Sequence, residues 1–179
     1  MRSIWDFNET KNYTTVNNYK VLISPLAESA AVLLEMLDTL VRTLQYKIKA
    51  TKINMYDKYL DLLSKTPHIL QEMQLHKDQG SIIFNGLNKP KNVHLTRDIP
   101  IGEDKRLRAS YRKIFLTLKN RNGRLKTINE MKSLLAHELT HTALNHVTWK
   151  DDNHPKLFKE YNKVILSMIN SILSSSSIQ

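Results

Sequence analysis

Hydrophobic and polar positions recur with a helical period in the first half of the chain. Ser24 and Pro25 are typical of a helix start, where serine caps the first turn and proline fits the first helical position. Apolar residues then recur every three or four positions as far as Ala50. We therefore predict a long helix that ends at about Ala50. Its buried side comprises Leu26, Ala30, Leu33, Leu34, Leu37, Leu40, Val41 and Leu44.

Shorter patterns follow this helix. We predict a second helix over Met55–Leu63 and a third from Thr66 to about Leu75, because threonine followed by proline again resembles a helix start. Glycines bracket the apolar run Ser81–Asn85, which predicts a short strand. Prolines and a glycine punctuate Asn88–Asp104, which we expect to be irregular.

The segment Tyr111–Lys119 is the best strand candidate in the chain, because β-branched, aromatic and other apolar residues are concentrated there. Asn120–Gly123 has the composition of a turn. An extended peptide can bind to a protein as an added strand at a sheet edge. We interpret Ile114–Leu118 as such an edge.

A second strong helix signal follows the turn. Thr127 and Glu130 have the spacing of a capping box, in which each side chain accepts from the backbone N–H of the other residue. The apolar stripe beyond them comprises Met131, Leu134, Leu135, Leu139, Ala143 and Leu144. A polar loop over Asn145–Pro155 and a closing helix from Leu157 to about Ile172 complete the pattern.

These elements predict an α+β fold: N-terminal helices, a small mixed sheet, one central helix and a closing C-terminal helix. We expect one domain over residues 20–173, since 179 residues suit a single domain with a real core. Residues 1–19 are rich in asparagine and threonine, and we expect a flexible N-terminus there. The serine-rich residues 174–179 are expected to fray.

The central helix carries the most informative residues, the HExxH box from His137 to His141. Positions i and i+4 lie on one face of a helix, so His137 and His141 can present two imidazoles to one metal ion. Glu138 is placed to act as general base on a metal-bound water. A catalytic zinc takes three protein ligands and keeps a fourth position open. We predict His154 as the third ligand.

Other candidates for the third ligand stay open. Glu160 lies nineteen residues beyond His141, a separation at which other zinc peptidases place a carboxylate ligand. His146 follows His141 by five residues, and on a continuing helix it would be rotated away from the metal face. We therefore interpret His146 as a surface or helix-end histidine. Tyr161 is a candidate oxyanion donor, although a packing role is typical of a tyrosine on such a helix.

The net charge of +10 is concentrated in one segment. Ten basic residues and a single acidic residue, Glu130, lie between positions 105 and 132. Such a cluster attracts phosphate backbones, so DNA is a candidate partner; a solvated surface that keeps the protein soluble is the alternative. The basic residues are Lys105, Arg106, Arg108, Arg112, Lys113, Lys119, Arg121, Arg124, Lys126 and Lys132.

The chain contains no cysteine, which excludes disulfides, cysteine catalysis and thiolate metal sites. The N-terminus lacks the apolar core of a signal peptide. Acidic residues interrupt the most apolar stretch, Leu26–Val41, so it is not a membrane span. We expect a soluble, monomeric protein of the cytoplasm or nucleus.

The order of strand, HExxH helix, polar loop, His154-Pro155-Lys156-Leu157-Phe158 and closing helix resembles the SprT-like and WLM metallopeptidases. The resemblance covers residues 108–165, about a third of the chain. The run Asn88–Leu118 is similar to uncharacterised members of this group encoded by large DNA viruses. Family members bind DNA through zinc fingers or basic tails. These 179 residues contain no cysteine and their last segment is serine-rich, so we do not expect either element among them.

The resemblance implies a zinc-dependent endopeptidase that cleaves protein substrates, some of them bound to nucleic acid. The alternative is a basic nucleic-acid-binding module that retains a structural zinc site. Glu138 favours the enzyme, because a structural site needs the histidines and has no use for this carboxylate. A zinc hydrolase of non-peptide amides is a third reading.

Overall fold

The computed structural model describes residues 12–51, 56–74, 76–77, 83–95, 107–147 and 155–175. Within these ranges the chain forms four helices and several small sheets. The predicted α+β class is therefore confirmed. In the described part of the chain, no helix combines the length and the apolar character that crossing a membrane requires.

The first element is a hairpin that the sequence analysis did not predict. Strand β1 (Tyr13–Val16) pairs antiparallel with β2 (Tyr19–Leu22). Asn17 and Asn18 connect them with φ values of 50° and 70°. Asparagine tolerates this left-handed conformation, which two-residue hairpin turns require. The boundary expected at residue 19 thus falls inside an ordered hairpin; residues 1–11 lie outside the described part.

Helix α1 (Ala27–Thr51) confirms the long helix expected from the apolar period. Ser24 does help to begin it, since its Oγ accepts a hydrogen bond from the backbone N–H of Leu26 at 3.1 Å. The predicted stripe is the centre of the core. Its fully buried members include Ala30, Leu34, Leu37, Leu40 and Leu44.

Helix α2 (Lys58–Lys65) confirms the second predicted helix, with its start shifted toward the C-terminus. Asp57 determines that start, because its Oδ1 accepts from the backbone N–H groups of Tyr59 and Leu60 at 2.9 and 3.1 Å.

The predicted third helix is wrong. Residues His68–Glu72 form strand β3 instead. Thr66 is the residue that ends α2, with an extended backbone, and its N–H donates to the carbonyl of Leu62. A residue before proline is biased toward this extended conformation, so Thr66-Pro67 directs the chain out of one helix and into a strand.

The main sheet has three strands, in the order β3, β9 (Tyr111–Leu116) and β6 (Gly86–Lys91). Strand β9 (Tyr111–Leu116) confirms the predicted strand and pairs parallel with β3 on one side. On its other side it pairs antiparallel with β6 (Gly86–Lys91). The interpretation of Ile114–Leu118 as a sheet edge is therefore wrong. Among the described strands, β6 is the edge on that side.

The segment expected to be irregular is partly ordered. Besides β6, it contains β7 (His94–Leu95), which pairs antiparallel with β8 (Leu107–Arg108). Pro90 lies within β6, which is compatible with an edge strand because proline has no N–H to donate. In the predicted strand at Ser81–Asn85, β5 (Ile83–Phe84) is present and pairs with β4 (His76–Lys77).

Helix α3 (Ile128–Ala143) carries the HExxH box. The capping box is confirmed: the N–H of Glu130 donates to Thr127 Oγ1 at 3.1 Å, and the N–H of Thr127 donates to Glu130 Oε1 at 3.2 Å. The preceding turn is also confirmed, with Gly123 at a φ of 83°. Helix α4 (Pro155–Ser174) closes the domain by packing against α3.

Candidate metal centre

The HExxH box lies in the last two turns of α3. His137 and His141 are one helical turn apart, and their ring centroids are separated by 5.0 Å. The side chain of His137 is exposed, whereas His141 is half-buried. The helix therefore presents two imidazoles side by side at the surface, as the spacing predicted.

Glu138 points in a different direction, into the space between α3 and strand β6. It is 3% exposed. A β-carbon built on Gly86 would lie 2.8 Å from Glu138 Oε2, so the missing side chain of this glycine makes room for the carboxylate. Burial raises the pKa of Glu138 from 4.5 to about 8. A nearby positive charge would act in the opposite direction and favour the ionised form.

His146 lies three residues beyond the end of α3, so its position at a helix end is confirmed. It is not a surface residue, however, being 4% exposed. The helix stops at Ala143, and Asn145 adopts a φ of 56°, which turns the chain back. As a result, His146 is not rotated away from the box. Its Nδ1 lies 2.8 Å from Nδ1 of His141.

The surroundings keep His141 neutral. Burial is the largest cause that lowers its pKa, from 6.5 to about 2. His146, His137 and Arg112 lower the pKa further, because each of them, when protonated, repels a positive charge on His141. A neutral imidazole retains one nitrogen lone pair, which is the form that binds a metal.

Phe158 brings α4 onto the histidines. Its ring centroid lies 4.9 Å from His137, 4.9 Å from His141 and 6.2 Å from His146. The interplanar angle to His146 is 14°, so these two rings are stacked. Because Phe158 is in the first turn of α4, the start of this helix lies against the HExxH box.

Beneath the box, buried polar side chains tie α3 to the sheet. Asn88 Nδ2 donates to the carbonyl of Glu138 at 2.5 Å and to Thr142 Oγ1 at 2.8 Å. Arg112 Nη1 donates to Asn88 Oδ1 at 3.0 Å, and its Nη2 donates to the carbonyl of His146 at 3.1 Å. His68 Nε2 is 2.9 Å from Thr142 Oγ1. This network holds the C-terminal half of α3 in one orientation.

The sequence analysis missed Gly86, Asn88 and Arg112 as contributors to the site. A signal for Arg112 was present, since this charged residue lies within the best predicted strand, Tyr111–Lys119. It is 1% exposed. The signal was read as part of a basic surface, because the sequence alone does not show which carbonyls an arginine can reach.

Two predicted site residues on α4 point elsewhere. Tyr161 donates its hydroxyl to Asp57 Oδ2 at 2.6 Å and packs on the ring of Tyr59, which fits the packing role. Glu160 is exposed. It is two residues after Phe158, or about 200° around the helix. Since Phe158 faces the histidines, Glu160 lies on the opposite side of α4.

The predicted third ligand, His154, lies outside the described residues. In the described ranges, no group of three or more histidine, aspartate or glutamate side chains is placed to hold a metal ion. The described part of the chain thus supplies the two HExxH histidines and Glu138.

Among the described residues of the basic cluster, not every charge lies on the surface. Arg112 is interior, and the Lys126 ammonium donates to the carbonyl of Thr117 at 3.1 Å. Lys119 donates to Ser24 Oγ at 3.0 Å. Arg124 pairs with Glu130 at 3.4 Å on the surface. Several of the charges are therefore used within the fold.

A cleft of about 580 Å³ lies beside the N-terminal half of α3. It extends to Leu134, which is one helical turn before Glu138 and touches the space over Gly86. Its lining residues are Asn85, Lys119, Asn120, Arg121, Lys126, Glu130, Ser133 and Leu134.

Comparison with protein-family models, with curated proteins and with solved structures found no match to this chain.

Proposed function

We propose that this protein is a zinc-dependent endopeptidase. The observation that carries the proposal is the arrangement on α3. His137 and His141 lie side by side at the surface, while Glu138 is buried between this helix and strand β6. Two imidazoles one helical turn apart are donor groups for zinc, and Glu138, the next residue after His137, carries the carboxylate that zinc-dependent hydrolysis requires as a base.

His154 is the third ligand in this proposal. The contact of Phe158 with both HExxH histidines supports it, because that contact brings the first turn of α4 to the site. In the sequence, His154 directly precedes Pro155, the first residue of that turn. Glu160, the rival ligand, is exposed on the other side of α4, so its position favours His154.

Zinc supplies a Lewis acid and an acidified water when it is bound. Glu138 is the group of this chain that takes up a proton from the attacking water and passes it to the leaving amine. Its burial excludes bulk water from the carboxylate, and Gly86 gives it space. The bond from Asn88 to the carbonyl of Glu138 holds its backbone in place.

The substrate is an extended, flexible protein segment that adds to the sheet beside β6. This strand is the edge of the main sheet among the described strands, and it packs against α3. Main-chain hydrogen bonds give such an interaction affinity with little sequence preference. We therefore expect broad cleavage. Cleavage confined to a single motif across a peptide library would contradict this expectation.

Membership in the SprT-like and WLM group, a site of action inside the cell and activity on nucleic-acid-bound proteins belong to the same proposal. The alternative, a basic nucleic-acid-binding module with a structural zinc site, has less support. Its argument depends on an exposed basic surface, and Arg112, Lys119 and Lys126 are engaged within the fold.

Casein digestion by wild type and by Glu138→Gln, with the zinc content of both measured, tests the proposal. We expect both proteins to contain zinc and only wild type to digest casein, with a loss of roughly 10²–10⁴-fold in the variant. Equal digestion by both proteins would contradict the role of Glu138. Zinc without digestion would favour either the structural site or a hydrolase of non-peptide amides.

A further inference from the structure

We propose that His146 is a positioning residue for the metal site: its Nδ1 accepts a hydrogen bond from the Nδ1–H of His141, which places the lone pair of the His141 ring on Nε2, the nitrogen that would bind the metal. The inference rests on the proposed zinc function. It adds a residue that belongs neither to the HExxH box nor to the predicted ligand set.

The contact between the rings of His141 and His146 requires one proton between the two nitrogens. The two Nδ1 atoms are 2.8 Å apart, a distance that is favourable only when one nitrogen carries a proton and the other offers a lone pair. If His141 is the donor, its proton is on Nδ1 and its lone pair is on Nε2. Metal-binding histidines almost always donate their second N–H to an acceptor in this way, which determines the tautomer and the ring orientation.

Three contacts within the protein fix the position of His146. Its backbone N–H donates to the carbonyl of His141 at 3.0 Å, and its own carbonyl accepts from Arg112 Nη2 at 3.1 Å. Its ring stacks on Phe158. These three contacts involve no metal. The acceptor is therefore in place before a metal binds, and ordering it costs no binding energy.

The alternative role for His146 is that of a metal ligand. The nitrogen that faces His141 is Nδ1 on both rings. A shared metal between these nitrogens would have to bind His141 through Nδ1, and the hydrogen bond between the rings would be lost. A positioning role requires no change in this contact when the metal binds.

The first test is the tautomeric state of the metal-free protein, measured by long-range ¹H–¹⁵N NMR of the histidine rings. We expect the proton of His141 on Nδ1 and the proton of His146 on Nε2. The opposite assignment, or a His141 ring that exchanges between both tautomers, would overturn the inference. This measurement does not depend on zinc or on activity.

The second test is zinc affinity, measured by competition with a chelator. We expect His146→Leu to weaken zinc binding by roughly 10–100-fold. His146→Asn should recover part of that loss, because the amide oxygen can accept from His141 where Nδ1 did. His94→Gln, which changes an exposed histidine far along the sequence, is the control and should bind zinc like wild type.

The outcomes are distinguishable. Equal zinc affinity in wild type and a folded His146→Leu would overturn the inference and leave the proposed function intact. A cobalt(II) absorption spectrum of His146→Asn that indicates a different set of ligands from wild type would identify His146 as a ligand. This result would also overturn the inference. If wild type binds no zinc, the proposed function fails, and the tautomers still decide the pairing. If His146→Leu does not fold, the zinc affinity of His146→Asn and the tautomers of the two histidines decide whether His146 is a positioning residue.

Discussion

Gly86 and Glu138 fit each other because the glycine has no side chain. A β-carbon at Gly86 would lie 2.8 Å from Glu138 Oε2 and 2.9 Å from Leu134 Cδ1. Real β-carbons do not approach other atoms so closely. The edge strand β6 and the helix that carries the HExxH box can therefore lie side by side with a buried carboxylate between them.

Gly86→Ala should displace the Glu138 carboxylate. We expect it to destabilise the fold by about 1–3 kcal/mol, the usual cost of overpacking, and to reduce casein digestion per folded molecule. Urea denaturation and digestion assays measure the two effects. Gly123→Ala is the matched control: its φ of 83° makes alanine strained, but a β-carbon there has no neighbour within 4 Å. The control should lose stability only; unchanged digestion in Gly86→Ala would contradict the account.

Asn88→Ala should destabilise the protein by about 2–4 kcal/mol, because hydrogen bonds to buried partners are lost. Asn88 links the carbonyl of Glu138, Thr142 and Arg112. Urea denaturation of Asn88→Ala, Thr142→Val and the double variant measures the coupling. Strictly additive effects would show that the two side chains do not act as one network.

His68 should contribute stability that is lost as the pH falls below about 6.5. Burial, then the Arg112 charge, lowers the pKa of His68 from 6.5 to about 3. Between these values the unfolded chain takes up a proton that the folded protein excludes, so stability is full above pH 6.5 and is lost toward pH 3. The contribution is at most about 1.4 kcal/mol per pH unit.

Urea denaturation at pH 7.0 and 5.0 checks this dependence. His68→Gln keeps a polar group near Thr142 and removes the imidazole, so the stability of wild type should fall relative to that of the variant between pH 7.0 and pH 5.0. His94→Gln, at an exposed position, should behave like wild type. An unchanged slope in His68→Gln would show that this histidine is not the group responsible.

The helices were predictable where the signals are local. The apolar period of α1 and the capping box of α3 act within a few residues, and both predictions are confirmed. Strand β3 was missed because Thr66-Pro67 has the composition of a helix start. Its pairing with β9, more than forty residues away in the chain, determines the outcome. Local propensity does not contain that information.

The candidate site, like the helices, was predictable only where its sequence signals are local. The spacing of His137 and His141 places both on one face, as the structure shows. His146 was misjudged because its expected direction assumed that α3 continues. The helix instead ends at Ala143, and the left-handed Asn145 reverses the chain. Where a helix stops depends on contacts such as the one from Arg112 to the carbonyl of His146, which join distant segments.

Zinc content, measured by mass spectrometry on wild type, His154→Ala and Glu160→Ala with casein digestion run in parallel, tests the central claim most directly. The account predicts one zinc per chain in wild type and in Glu160→Ala, with digestion by both, and loss of zinc and digestion in His154→Ala. Loss of zinc only in Glu160→Ala would assign the third ligand to the carboxylate. Wild type that neither holds zinc nor digests casein would contradict the peptidase proposal.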